Sequence, residues 1–207
     1  MDYRINSRDY LHRARKRLLD DTLESLFYAA FELRCGIESR MQQYLEAQEF
    51  VSKKVKKGWR IAELGKNIDR IFTTVDKIAE FTIIEKETSN AIDTFYYTPV
   101  TLRLRKMAEK LGDLMHAMKK YRKTDDKWWH DIRKYLEEVY LELEKANVGI
   151  LLGIPLVKKG TKELSGNIEI LKDRNPDKIK DIFKAGAQYL LKVRYLNDLP
   201  PDALKKR

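Results

Sequence analysis

Residues 20–48, DDTLESLFYAAFELRCGIESRMQQYLEAQ, constrain the fold most, because an apolar stripe of helical period runs through nearly all of them. At about 100° per residue, Leu19, Leu23, Leu26, Phe27, Ala30, Leu33, Ile37, Met41, Tyr44 and Leu45 fall within an arc of about 120°, the face that a core-packed helix needs. Arg34 lies inside that arc, between Phe27 and Ile37, so the helix carries a guanidinium to or along the core. Ser7 suits an N-cap, and Tyr10, Leu11, Ala14 and Leu18 extend the stripe backwards. The spacing predicts one helix from residue 8 to residue 49, bent at Gly36.

A cationic turn follows at 50–58, FVSKKVKKG, and then a second helix over 59–80, in which Ile61, Leu64, Ile68, Ile71, Phe72, Val75, Ile78 and Ala79 keep the helical spacing. Residues 81–97, FTIIEKETSNAIDTFYY, change character: β-branched and aromatic residues flank a Ser-Asn pair, the pattern of a small hairpin or of an irregular connection. Thr98 and Pro99 suit the cap and first position of a third helix reaching Lys123. Thr124 or Asp125 caps a fourth, with Trp128, Trp129, Ile132, Leu136, Val139, Tyr140 and Leu143 inward, stopped by Asn147 or Gly149. Beyond Val148 the glycines read as loop with a short strand at 167–171, and Pro176 opens a last helix to Tyr195. The expected fold is all-α: an antiparallel up-down helical bundle over 1–147, with a small hairpin, and a less regular C-terminal region, 148–207, packed on the same domain and ending in a helix.

The charge narrows the partners. Forty-two Lys and Arg against 32 Asp and Glu, formally +10, favour a polyanion such as RNA or DNA. The cations form two runs: Arg13, Arg15 and Arg17 near the start, and Lys53, Lys54, Lys56 and Lys57 in the turn; each reads as a solvated face or as a phosphate-contacting one. Cys35 is the only cysteine, so no disulfide closes within the chain and a cysteine-based metal cluster is excluded; neither a metal site nor a cofactor is expected. The charged N-terminus is unlike a secretory signal, and no apolar run approaches the roughly 20 residues of a membrane span. No membrane partner and a reducing, cytoplasmic setting are therefore expected.

Phosphate loops, zincin helices and hydrolase elbows are missing from the sequence. Three constellations remain. Arg34 and Glu38, with Glu32, form an i, i+4 pair that either fixes helix packing or holds an anionic oxygen. His116 shares a helix edge with Arg105, Glu109 and Asp113, where it is a packed residue or an acid-base group. Trp128 and Trp129, between Lys127 and Arg133, anchor a core or subunit interface, or stack bases.

The segments YAAFELRCGIESRM and FYYTPVTLRLRKMAEKLGDLMHAMKKYR carry an ELRxxIE helix and a later LGxLMH helix. In this the chain resembles bacterial proteins of the HEPN-like superfamily over residues 8–146. The resemblance implies an all-α bundle in a defence, antiviral or toxin-antitoxin setting, associating with itself, a partner protein or nucleic acid. Members that cut RNA without metal share an arginine followed, after four to six residues, by a histidine. At that spacing this chain has lysines instead, Lys110 before His116 and Lys123 before His130. The first expectation is thus a binding or regulatory module. The alternative is a ribonuclease or nucleotide-modifying toxin that brings Arg34 and His116 together from two helices.

Overall fold

A computed structural model describes residues 4–20, 22–48, 51–56, 60–71, 76–116, 120–151 and 189–204. The described elements are α1 (Ser7–Leu19), α2 (Leu23–Glu46), α3 (Lys53–Lys56), α4 (Ile61–Ile71), β1 (Ile78–Glu85), β2 (Ala91–Tyr97), α5 (Leu102–Leu111), α6 (Lys127–Val148) and β3 (Tyr189–Leu196), with 3-10 turns at Gly112–Met115 and Pro201–Ala203. The fold is therefore α+β, not all-α. An antiparallel sheet of order β2-β1-β3 stands beside the helices.

α2 is the organising helix, and α1, α4, α5 and α6 all pack on it. Leu26, Ala30, Leu33, Ile37, Met41, Tyr44 and Leu45 are buried as their spacing predicts. The long first helix is two helices, however, one ending at Leu19 and the next starting at Leu23, and it is not broken at Gly36. Asp20 and Thr22 are extended, Thr22 Oγ1 accepts from the Ser25 amide at 3.3 Å, and Arg133 of α6 donates to the Leu18 carbonyl at 2.7 Å. Both freed helix ends thus find side-chain partners, which lets α1 fold back on α2. Asn6, not Ser7, caps α1. The Ser7 hydroxyl is buried and donates to the Gly36 carbonyl at 2.8 Å. Gly36 stays helical and marks a crossing: a Cβ there would lie 3.2 Å from Tyr10 Cβ of α1 and 2.8 Å from a Leu143 methyl of α6.

The second helix ends at Ile71, and Ile78 and Ala79, expected on it, belong to β1. The hairpin exists. Ala79 pairs with Tyr97 and Phe81 with Phe95, whose rings stack at 5.2 Å, and Ser89 adopts a φ of 58° in the turn. The larger correction is at the C-terminus, where Tyr189–Leu196 is a strand and not the end of a helix. Its leucines fit either period. An antiparallel partner settles the matter: β3 lies along the whole of β1, and Arg194 donates to Glu80 through Nε and Nη2 at 3.0 and 3.1 Å. The predicted strand at 167–171 and the start of the predicted helix at Pro176 lie outside the described residues.

α5 is capped by Thr101 rather than Thr98 and ends at Leu111. Thr98 serves a different contact, the junction of the helical layer with the sheet. Its hydroxyl donates to the Ala146 carbonyl at 2.8 Å and accepts from the Gly149 amide at 2.9 Å. Arg40, only 3% exposed, donates to the carbonyls of Ala146 and Gly149 at 2.9 and 2.6 Å and to the Tyr44 hydroxyl at 2.9 Å; that hydroxyl donates to the Thr98 carbonyl. A cation at the C-terminal end of α6 meets carbonyls that the helix leaves open and the negative end of its dipole. Asp126 caps the other end of α6, one residue beyond the expected position.

Candidate functional site

The residues singled out by the sequence separate in space. Arg34 sits at the margin of the core, its side chain 26% exposed, with Nε 3.1 Å from Glu38 Oε1 and Nη1 donating to the Ala108 carbonyl at 3.4 Å. Its guanidinium lies against Gly112, where a Cβ would collide with it. His116 is four residues further on, exposed at the end of the 3-10 turn, and makes no hydrogen bond or ion pair with a described residue. Arg34 and His116 thus approach the same stretch of chain but are not joined. Arg105 is buried and turns the other way, forming a two-pronged pair with Asp69 of α4 at 3.0 Å on each prong, while Glu109 faces solvent.

Burial raises the Glu38 carboxyl above its usual range even though Arg34 opposes the shift. Between these two residues, Cys35 is pushed up to about 11, first by burial and then by Glu38 and Glu32. A thiol held two units above its ordinary value of 9.0 has about a hundredfold less thiolate at a given pH below both values. Cys35 is therefore expected to react with a disulfide reagent at pH 8 at least about tenfold more slowly than free cysteine, speeding up only as pH climbs towards 11. A stopped-flow thiol assay on the folded protein checks this.

The early basic run is largely occupied internally. Arg13 pairs with Glu32 at 2.8 Å and also donates to the Arg4 carbonyl; Arg15 reaches the Tyr140 hydroxyl; Arg17 pairs with Asp20 at 3.7 Å and lies over the Tyr28 ring. Lys53 and Lys54 are exposed on α3, Lys56 donates to the Glu46 carbonyl at 3.1 Å, and Lys57 lies outside the described residues. Trp129 packs edge-on against Phe27 of α2 at 5.9 Å and Trp128 against Trp129 at 4.8 Å, with Arg122 over Trp128. These two tryptophans dock the start of α6 within the chain.

A site that the sequence reading missed lies between α5 and α6. Asp76, Leu102, Arg103, Lys106, Met107, Lys110 and Tyr135 line an open groove of about 500 Å³. Arg103, Lys106 and Lys110 recur at i, i+3 and i+7, which puts three cations along one outer stripe of α5. Thr101 starts the helix, and the buried Leu104, Ala108 and Leu111 turn that stripe outwards. Among the described residues Arg103 makes long contacts, to Glu138 at 3.8 Å and Glu142 at 3.7 Å, of the exposed kind that contribute little. Lys106 has no hydrogen bond or ion pair to a described residue, and Lys110 Nζ stands 4.5 Å from the centre of the Tyr135 ring. The Tyr135 hydroxyl donates to the Met107 carbonyl at 3.0 Å and is pushed up to about 12, chiefly by burial, so it stays neutral. Asp76 Oδ1 accepts from the Leu102 amide at 2.9 Å. The groove is cationic on its α5 wall, apolar on its floor and acidic at one end. Its trace in the sequence is the i, i+3, i+7 repeat of cations, on a different stripe of α5 from Arg105 and Glu109.

No family model, curated protein or solved structure matches this chain. No described helix is long and apolar enough to cross a membrane.

Proposed function

We propose that the protein is a binding or regulatory module that holds single-stranded nucleic acid in the α5–α6 groove. The observation that supports this reading is the row of Arg103, Lys106 and Lys110 beside an aromatic floor, cations for the backbone and a ring surface for a base. The ELRxxIE and LGxLMH patterns favour a bacterial defence or toxin-antitoxin setting, and the exposed Tyr28 and Phe31 on α2 favour association with a second copy or a partner protein. Against the ribonuclease alternative stands the engagement of Arg34 by Glu38 and the Ala108 carbonyl, with His116 unlinked to either. If His116→Ala leaves RNA cleavage unchanged, that alternative is removed.

The binding reading is tested by fluorescence anisotropy with a labelled single-stranded oligonucleotide. Reversing two cations, Lys106→Glu with Lys110→Glu, is expected to weaken binding at least about tenfold and to flatten the slope of log K against log salt by about 1.4, since each lost phosphate contact on a single strand removes about 0.7. Lys53→Glu with Lys54→Glu changes net charge equally and serves as the control. Equal losses from the two pairs would show general charge attraction and not a groove.

A further inference from the structure

The groove is not uniformly cationic, and its polarity has a length. Asp76 meets α5 at Leu102, leaving Oδ2 without a hydrogen bond to a described residue. Lys106 stands one turn later, about 6 Å along the helix. Lys110 follows at the far end, and Leu102, Met107 and the Tyr135 ring lie between. A bare polyanion is repelled by Asp76 at one end of this strip. A ligand with hydroxyl donors at one end, a flat apolar body and a phosphate a few ångströms away meets Asp76, the apolar strip and the two lysines. The volume of about 500 Å³ falls in the range of small-molecule sites, roughly 300–1,000 Å³, and holds a nucleotide unit but not a duplex.

We propose that the α5–α6 groove takes a single ribonucleotide unit, its phosphate between Lys106 and Lys110, its ribose hydroxyls on the Asp76 carboxylate and its base across Leu102, Met107 and Tyr135. The inference rests on the nucleic-acid reading of the same groove and names the unit recognised there. A carboxylate that accepts from the 2′-hydroxyl separates ribose from deoxyribose, because a deoxy sugar leaves the acceptor without its donor. Phosphate alone uses only the lysine half of the strip.

The test is calorimetric titration of the full chain, at low salt, with adenosine 5′-monophosphate, its 2′-deoxy analogue and inorganic phosphate. The ribonucleotide is expected to bind at least tenfold more tightly than phosphate and about fivefold more tightly than the deoxynucleotide. Asp76→Ala is expected to bring the ribose-to-deoxyribose ratio close to one, and Lys106→Glu to weaken both nucleotides and phosphate. Should Asp76→Ala fail to fold, the ratio measured on the unaltered chain decides. Equal affinity for ribonucleotide and phosphate, or for ribose and deoxyribose, overturns the inference. If no mononucleotide binds while an oligoribonucleotide still binds and is lost with the two lysine reversals, the inference falls and the nucleic-acid reading stands. If neither binds, both fall.

Discussion

Gly149→Ala is expected to destabilise the protein by about 3 kcal/mol, the upper end of what overpacking costs, and to lower the melting temperature by about 10 °C. The backbone of Gly149 is extended, with φ −69° and ψ 155°, so conformation does not require glycine here. Space does. A Cβ would stand 2.5 Å from the Thr98 amide nitrogen and 3.0 Å from the Tyr96 carbonyl oxygen, both backbone atoms that cannot rotate away. The end of α6 would have to lift off the end of β2, and the contacts that join them would stretch together: Gly149 amide to Thr98 Oγ1, Ile150 amide to the Tyr96 carbonyl, and Arg40 to the Gly149 carbonyl. Gly112→Ala is the contrast, because there the obstacle is the mobile end of the Arg34 side chain, and a drop below about 1 kcal/mol is expected. Thermal melts of the two variants side by side check the pair. Equal losses would show that neighbouring backbone is not what holds Gly149.

Arg40→Met is expected to destabilise the protein by about 2–3 kcal/mol, the upper range for leaving a buried acceptor without its donor. Methionine fills the volume but leaves the Gly149 carbonyl without its Arg40 donor and removes the donors to Ala146 and to the Tyr44 hydroxyl. Removing a donor from buried acceptors costs more than the bond itself contributed. Arg40→Lys is expected to recover less than half of the loss: a single ammonium is a point donor, and the guanidinium fork reaches two carbonyls of the α6 terminus and a hydroxyl of α2 at once. Urea denaturation of the three proteins is the measurement. A loss under about 1 kcal/mol for the methionine variant would mean that the apolar surroundings, not the hydrogen bonds, set the position.

Arg40 also shows what helical spacing alone does not decide. On the helical wheel of α2, Arg34 lies about 40° from Ala30, the centre of the apolar arc, and Arg40 about 80° from it, just outside the edge at Leu33. The spacing points to Arg34, which lies along the margin of the core with its side chain 26% exposed, whereas Arg40 is buried. The face that α2 buries is wider than its apolar arc and takes in Ala29, Gly36 and Arg40, because α1 and α6 pack on that side.

The chain's own periodicity was enough for the inner faces of α2 and α6, and its local residue types offered a hairpin around Ser89 and Asn90 as one of two readings and a helix stop at Asn147 or Gly149. Each of these depends on residues within a few positions of one another, whose spacing and side-chain shape are visible in one dimension. The strand at 189–196, the three-way contact at Gly36, the Arg40 junction and the α5–α6 groove depend on partners brought in from afar. Arg194 meets Glu80 across 114 positions and Arg40 meets Gly149 across 109. YLLKVRYL fits either period when taken alone, and it becomes a strand because β1 offers it a ladder of hydrogen bonds along an edge that would otherwise be unpaired. Such a choice is made between distant segments, so no local pattern in the chain records it.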